Sequence, residues 1–339
     1  MNFFEGTVLG LVQGLTEFLP VSSSAHLRIT AALAGWDDPG AAFTAVTQIG
    51  TETAVLIYFR KDIARIVRAW ALSWTRREMR KDTDARVGWL VILGTIPIGL
   101  LGVTFQDAIE GPFRDLRLIA TTLIVLGLIL GGADWYASKG RPRGRHSLPR
   151  PRKTLPDLSV RDGVLYGLAQ SAALIPGVSR SGATISGGLL LGYTREAAAR
   201  YSFLLAMPAV LASGVFELKS IGGDGDGAEV SWGPTILATI VAFATGYAAI
   251  AWFLRYIATR SFAPFVLYRV ALGLLLLALL AGGRDQRGRG RTGRLTTRGR
   301  TRRRRVNYGG RAAHAAYGTR AGRPPDPGPS RRCPTPPSP

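Results

Sequence analysis

Apolar residues in this chain gather into long runs instead of recurring at the spacing of one helix face. Five runs, Ala41 to Phe59, Val87 to Phe105, Leu118 to Tyr136, Tyr201 to Leu218 and Thr235 to Leu254, reach or approach the length a helix needs to cross a ~30 Å hydrocarbon core at ~1.5 Å per residue. A sixth, Phe262 to Gly282, carries one arginine, Arg269. The pattern predicts an all-α integral membrane protein. The N-terminus lacks a basic start, and its apolar stretch is broken by Glu17 and Pro20, which argues against a cleavable signal peptide.

Shifted by 157 positions, EGTVLGLVQGLTEFLPVSSSA (5–25) aligns without a gap on DGVLYGLAQSAALIPGVSRSG (162–182). Gly6, Gly10, Leu11, Gln13, Val21, Ser22 and Ser24 recur as Gly163, Gly167, Leu168, Gln170, Val178, Ser179 and Ser181. Three candidate spans follow each copy. The chain then divides into a membrane repeat 1–136, a basic linker 137–159, a second membrane repeat 160–282 and a tail 283–339. An odd number of crossings per repeat sets the halves in opposite orientations, a polytopic helical bundle of two inverted-topology repeats. With each repeated segment dipping in and returning, loops 60–86, 137–161 and 255–260 share one face and hold 9, 8 and 2 Lys or Arg. The opposite loops hold only Arg114 and Lys219, with Arg117 at a boundary, so the positive-inside rule makes the basic face cytoplasmic and puts both termini outside.

Composition changes this picture little: 47% of residues are hydrophobic and 19% charged. The net charge of +21 is mostly the tail, where 16 arginines oppose Asp285 and Asp326. That tail has no hydrophobic periodicity and reads as disordered; Arg302 to Arg305 read as solvated charge, with no nucleic-acid partner expected. An outside tail of this charge sits on the disfavoured side, and its location stays open. The single cysteine, Cys333, excludes an intramolecular disulfide and a thiolate metal cluster.

Both copies of the repeated segment contain a helix breaker, Pro20 in one and Pro176 followed by Gly177 in the other. Each is expected to form two short helices meeting at a bend, a re-entrant pair, with the two bends brought together near the midplane. Ser22, Ser23, Ser24 and Ser179, Ser181 would then start the second helices, where free N–H groups and the dipole favour an anion. Arg180 adds a planar guanidinium suited to phosphate. Serines alone read as caps; with Arg180, Glu17 and His26 at membrane depth the functional reading prevails. His26 lies one turn beyond Ser22 and Ser23 and can take a proton from serine or water. Glu17 can orient His26, bind a divalent cation or act as a base. Gln48 and Glu52 share a helix face and suit either a cavity or a packed pair. Arg269 can reach phosphate or neutralise Glu52, and Thr184 can donate to phosphate or bond back to its own helix.

The motifs EFLPVSSSAHL and PGVSRSGATISGGLL, with QIGTETAVLIYF, YSFLLAMPAV and FAPFVLYR in order, strongly resemble the undecaprenyl-diphosphatase family over about residues 1 to 282. The resemblance implies a multi-pass enzyme of the bacterial plasma membrane. It would remove the terminal phosphate of undecaprenyl diphosphate, recycling the carrier for peptidoglycan synthesis and conferring bacitracin resistance. It places functional residues at Glu17, Ser23, His26, Ser179, Arg180 and Thr184. Family members commonly carry a second glutamate where this chain has Gln13, which weakens a Mg²⁺ or Ca²⁺ site built on Glu17.

The resulting expectation is a hydrolase whose cavity opens to the outer face. Ser23 is the nucleophile, with water and His26 as alternatives, and His26 accepts its proton. Ser22, Ser179, Arg180, Ser181, Thr184 and Arg269 hold phosphate. The partners are a polyprenyl diphosphate and membrane lipids, with a homodimer left open. The rival reading is a transporter or flippase of the lipid carrier.

Overall fold

Pro20 and the Pro176–Gly177 pair interrupt both copies of the repeated segment, and the helices stop there. The computed structural model describes residues 1–110, 113, 115–139, 152–222 and 231–295. The first copy forms α1 (Phe3–Glu17) and α2 (Ser23–Ala34), followed by α3 (Gly40–Tyr58), α4 (Arg60–Thr75), α5 (Thr83–Thr104), α6 (Gln106–Glu110) and α7 (Leu116–Lys139). The second forms α8 (Val160–Ser171) and α9 (Arg180–Leu190), then α10 (Arg195–Gly222), α11 (Trp232–Thr259) and α12 (Ala263–Leu295). Among the described residues there is no strand, only an isolated bridge between Lys153 and Tyr193. Most of the linker, nearly all of the acidic GGDGDGAE run and the tail beyond Leu295 lie outside the described residues, and with them the disorder expected there.

Five described helices are long and apolar enough to cross a membrane: α5, α7, α10 over Arg195–Gly214, α11, and α12 over Ala263–Gly282. The expected span at Ala41 to Phe59 forms α3 but is not among them, and Glu52, Gln48 and its threonines explain why. Loop 60–86 is not a loop throughout. Ile63, Ile66 and Trp70 recur at helical spacing, so Arg60–Thr75 coils into the amphipathic α4. Burial separates the interior helix from the rest: 67% of the α10 window is buried, against 22–33% for the other four. Leu100, Leu128 and Leu267 point large apolar side chains outward, as a lipid-facing wall requires.

The chain divides into two units, Met1–Gly288 and Arg289–Pro339, and everything below concerns the first. Within it the repeated glycines perform the same task twice. A Cβ on Gly10 of α1 would fall 2.4 Å from the Ala238 carbonyl oxygen of α11, and one on Gly167 of α8 would fall 2.6 Å from that of Gly94 in α5. Each repeat therefore seats its first helix, backbone to backbone, against a helix of the other. Between them α3 and α10 pack together, and a core that includes Phe18, Phe59, Phe203 and Phe253 fills the interior.

Candidate active site

The two bends end at Ser22 and Ser179, which cap α2 and α9 with φ of 75° and 69°. Non-glycine residues avoid this region, so both positions store backbone strain. Ser179 Oγ accepts from Gly182 N at 3.1 Å, whereas Ser22 makes no side-chain cap and sits 3.3 Å from Ser24 Oγ. Ser181 Oγ lies 3.1 Å from Ser179 Oγ and donates to the Leu19 carbonyl at 3.0 Å, tying the second bend to the first.

Glu17, the last residue of α1, is the centre of the polar cluster. Its Oε2 accepts from Ser23 Oγ at 2.6 Å and from Gln13 Nε2 at 2.8 Å. Its Oε1 accepts from Arg180 Nη2 at 2.5 Å, and the same nitrogen donates to Glu52 Oε1 of α3 at 3.1 Å. Gln13, Glu17 and Glu52 are all buried. Gln13 Oε1 and Glu52 Oε2 are buried acceptors that receive no hydrogen bond. Among the described residues no three His, Cys, Asp or Glu side chains gather as a metal site, so a cation here would rest on two carboxylates and an amide.

His26 lies one turn beyond Ser22 on α2. Its Nδ1 is 2.7 Å from the Ser22 carbonyl, which can only accept, so Nδ1 carries the proton. Nε2 then accepts from Tyr268 OH at 2.6 Å, with the two rings stacked at 5.5 Å. Both ring nitrogens are thus engaged away from Ser23, whose hydroxyl is bonded to Glu17. Tyr268 lies within FAPFVLYR, but its pairing with His26 is not visible in sequence because 242 positions separate the two.

Arg269 is fully buried and donates to backbone oxygens: Leu123 at 3.2 Å, Pro20 at 3.0 Å, Gly177 at 2.8 Å and Val178 at 3.1 Å. Its expected contact with phosphate or with Glu52 gives way to this clamp, because the broken backbone offers carbonyls that no helix satisfies. Thr184 Oγ1 bonds back to the Arg180 carbonyl at 2.7 Å and meets Ser202 Oγ at 2.5 Å.

A cavity of about 460 Å³ is lined by Glu17, Ser22, Ser23, Ser179 and Arg180 together with Gln48. Its remaining wall is largely apolar and comes from α5, α6 and α10, with Ile98, Val103 and Val210 among it. His26, Thr184 and Arg269 are not in that wall. The arrangement joins two helix starts, a guanidinium and a carboxylate-bonded hydroxyl to an apolar chamber. Such a chamber suits an anion carried on an apolar tail.

Residues 6–275 match the model of the family described as bacitracin resistance protein BacA. The chain is 96% identical over 286 residues to undecaprenyl-diphosphatase 3 of Frankia alni, covering 84% of this chain and 96% of that protein. It is 67% identical over 283 residues to undecaprenyl-diphosphatase 2 of Streptomyces avermitilis, with 84% and 96% covered. It is 60% identical over 283 residues to undecaprenyl-diphosphatase of Thermobifida fusca, with 84% and 92% covered.

Proposed function

The chain belongs to the bacitracin resistance protein BacA family, and from that premise we propose that it hydrolyses undecaprenyl diphosphate to undecaprenyl phosphate and inorganic phosphate. The observation that carries this reading is Arg180, whose Nη2 is held by Glu17 and Glu52 where the serine-capped helices face the cavity. In the plasma membrane this recycles the lipid carrier for peptidoglycan synthesis and supports bacitracin resistance.

Substrate phosphate draws the Arg180 guanidinium from the carboxylates, and the starts of α2 and α9 supply further donors to the equatorial oxygens. Freed of its ion pair, Glu17 takes the proton of Ser23 through the existing 2.6 Å hydrogen bond. Ser23 Oγ bonds to the terminal phosphorus as the bond from that phosphorus to the bridging oxygen breaks, and Glu17 passes the proton to the departing undecaprenyl phosphate. Water then attacks the seryl phosphate and gives a proton to Glu17, which returns it to Ser23 Oγ as the bond from that oxygen to phosphorus breaks and inorganic phosphate leaves. His26 positions the Ser22 bend through its Nδ1 hydrogen bond instead of acting as the base. A Mg²⁺ or Ca²⁺ ion, when bound, would neutralise phosphate charge; Glu17 and the unmet Gln13 Oε1 are hard oxygens of the kind such ions take.

The inverted-repeat reading is supported by the exchanged packing of α1 on α11 and α8 on α5, and it would gather the basic loops 60–86, 137–161 and 255–260 on one face. With that face cytoplasmic, the cavity opens outward. The deciding experiment is phosphate release from undecaprenyl diphosphate by the purified chain in detergent. Release abolished by Arg180→Ala is expected; movement of the lipid between leaflets without release would identify a carrier instead.

A further inference from the structure

We infer that Glu52 is the second carboxylate of a divalent-cation site shared with Glu17 and Gln13, taking the part of the acid that position 13 lacks in this chain. The inference rests on the cation reading above and adds to it a residue from another helix. Glu52 is 1% exposed on α3, outside the repeated segment. Its Oε1 and the Glu17 Oε1 accept from the same Arg180 nitrogen, so the carboxylates are no farther apart than two hydrogen bonds laid end to end.

A counter-ion for Arg180 does not explain Glu52, because Glu17 already fills that place at 2.5 Å. With both buried carboxylates ionised, one guanidinium would leave a negative charge in excess, which is costly at this depth and opposes a substrate that is itself an anion. A dication reverses the sign of the cluster and releases the guanidinium to the phosphate.

Two further observations point to a cation. Glu52 Oε2 and Gln13 Oε1 are buried without a donor, and each such oxygen costs about 1–3 kcal/mol. The amide of Gln13 must turn its nitrogen to Glu17, since an ionised carboxylate only accepts, and that leaves its oxygen unmet. Carboxylate and amide oxygens are the ligands that Mg²⁺, Ca²⁺ and Mn²⁺ select.

The test measures Mn²⁺ binding to the purified full chain by electron paramagnetic resonance, in wild type, Glu52→Gln, Gln13→Glu and the double variant. Glu52→Gln should weaken binding by at least about tenfold, and Gln13→Glu in the same chain should restore it by returning the carboxylate count to two. Restoration also shows that the variant cluster still folds. Wild-type affinity in Glu52→Gln, or no recovery in the double variant, overturns the assignment of Glu52 alone. Failure of wild type to bind Mn²⁺ while it still releases phosphate overturns the cation reading itself.

Discussion

Ser22 and Ser179 are the two non-glycine residues with positive φ among the described residues, and they stand at matching positions of the internal repeat. The same unfavourable turn is therefore made twice, at a strain of roughly 1–3 kcal/mol each. What holds both is Arg269, which grips Pro20 on one side and Gly177 on the other, again a matching pair.

Arg269→Lys should lower the free energy of unfolding by roughly 2–4 kcal/mol, because an ammonium cannot span carbonyls from three segments and leaves buried acceptors unmet. Thermal unfolding in detergent measures this. Wild-type stability in the lysine variant would show that the clamp is dispensable.

Glu17→Gln and Ser23→Ala should each reduce turnover by about a hundredfold or more, and the double variant should lose little beyond either single change. The hydrogen bond between them makes them one proton-transfer unit. Multiplying losses in steady-state phosphate release would mean that they act separately.

Arg180→Lys keeps the charge but loses the fork, and should lose most of kcat/KM for undecaprenyl diphosphate. Near-normal kinetics would reduce the role of Arg180 to that of a point charge.

Gly10→Ala and Gly167→Ala should destabilise by similar amounts, about 1–3 kcal/mol each, since each new Cβ strikes a facing helix backbone. Comparison of the two melting curves checks the equivalence of the repeats. A loss at one site alone would break it.

Cysteines replacing Arg77 or Lys153 should resist an impermeant thiol reagent on intact cells, and one replacing Asp224 should label, in chains where Cys333 is serine. The reverse pattern would turn the cavity to the cytoplasm.

Much of the architecture was legible in the sequence because it rests on local chemistry. Proline removes a helix donor and crowds the preceding turn, and Pro20 and the Pro176–Gly177 pair mark both bends, whereas Pro97 and Pro208 are carried inside α5 and α10. The grouping of Glu17, Ser23 and Arg180 was legible for a related reason: ionisable groups beside a break at membrane depth are rarely idle. Partner choice was not legible. Arg269 looked like a phosphate ligand because its charge is plain in sequence, while the carbonyls that claim it appear only when α12 meets both bends. His26 has the spacing to serve Ser23, but a side chain 242 positions away, Tyr268, takes its Nε2. The sequence left Glu52 open between a cavity and a packed pair with Gln48, because its contact with Arg180 exists only where α3 meets α9. The helix in Arg60–Thr75 is obscured in sequence because Arg60, Lys61, Asp62, Arg65 and Arg68 interrupt its apolar positions.

The clamp of Arg269 also fixes an order of events during synthesis. Glu17, Ser23 and Arg180 all leave the ribosome before α12, so a growing chain contains its reactive groups long before it contains the residue that holds both bends. A chain that lacks α12 is therefore expected to be inert. A chain ending at Ser261 should enter the membrane yet release no phosphate, and should gain activity when the segment from Phe262 onward is supplied as a separate peptide.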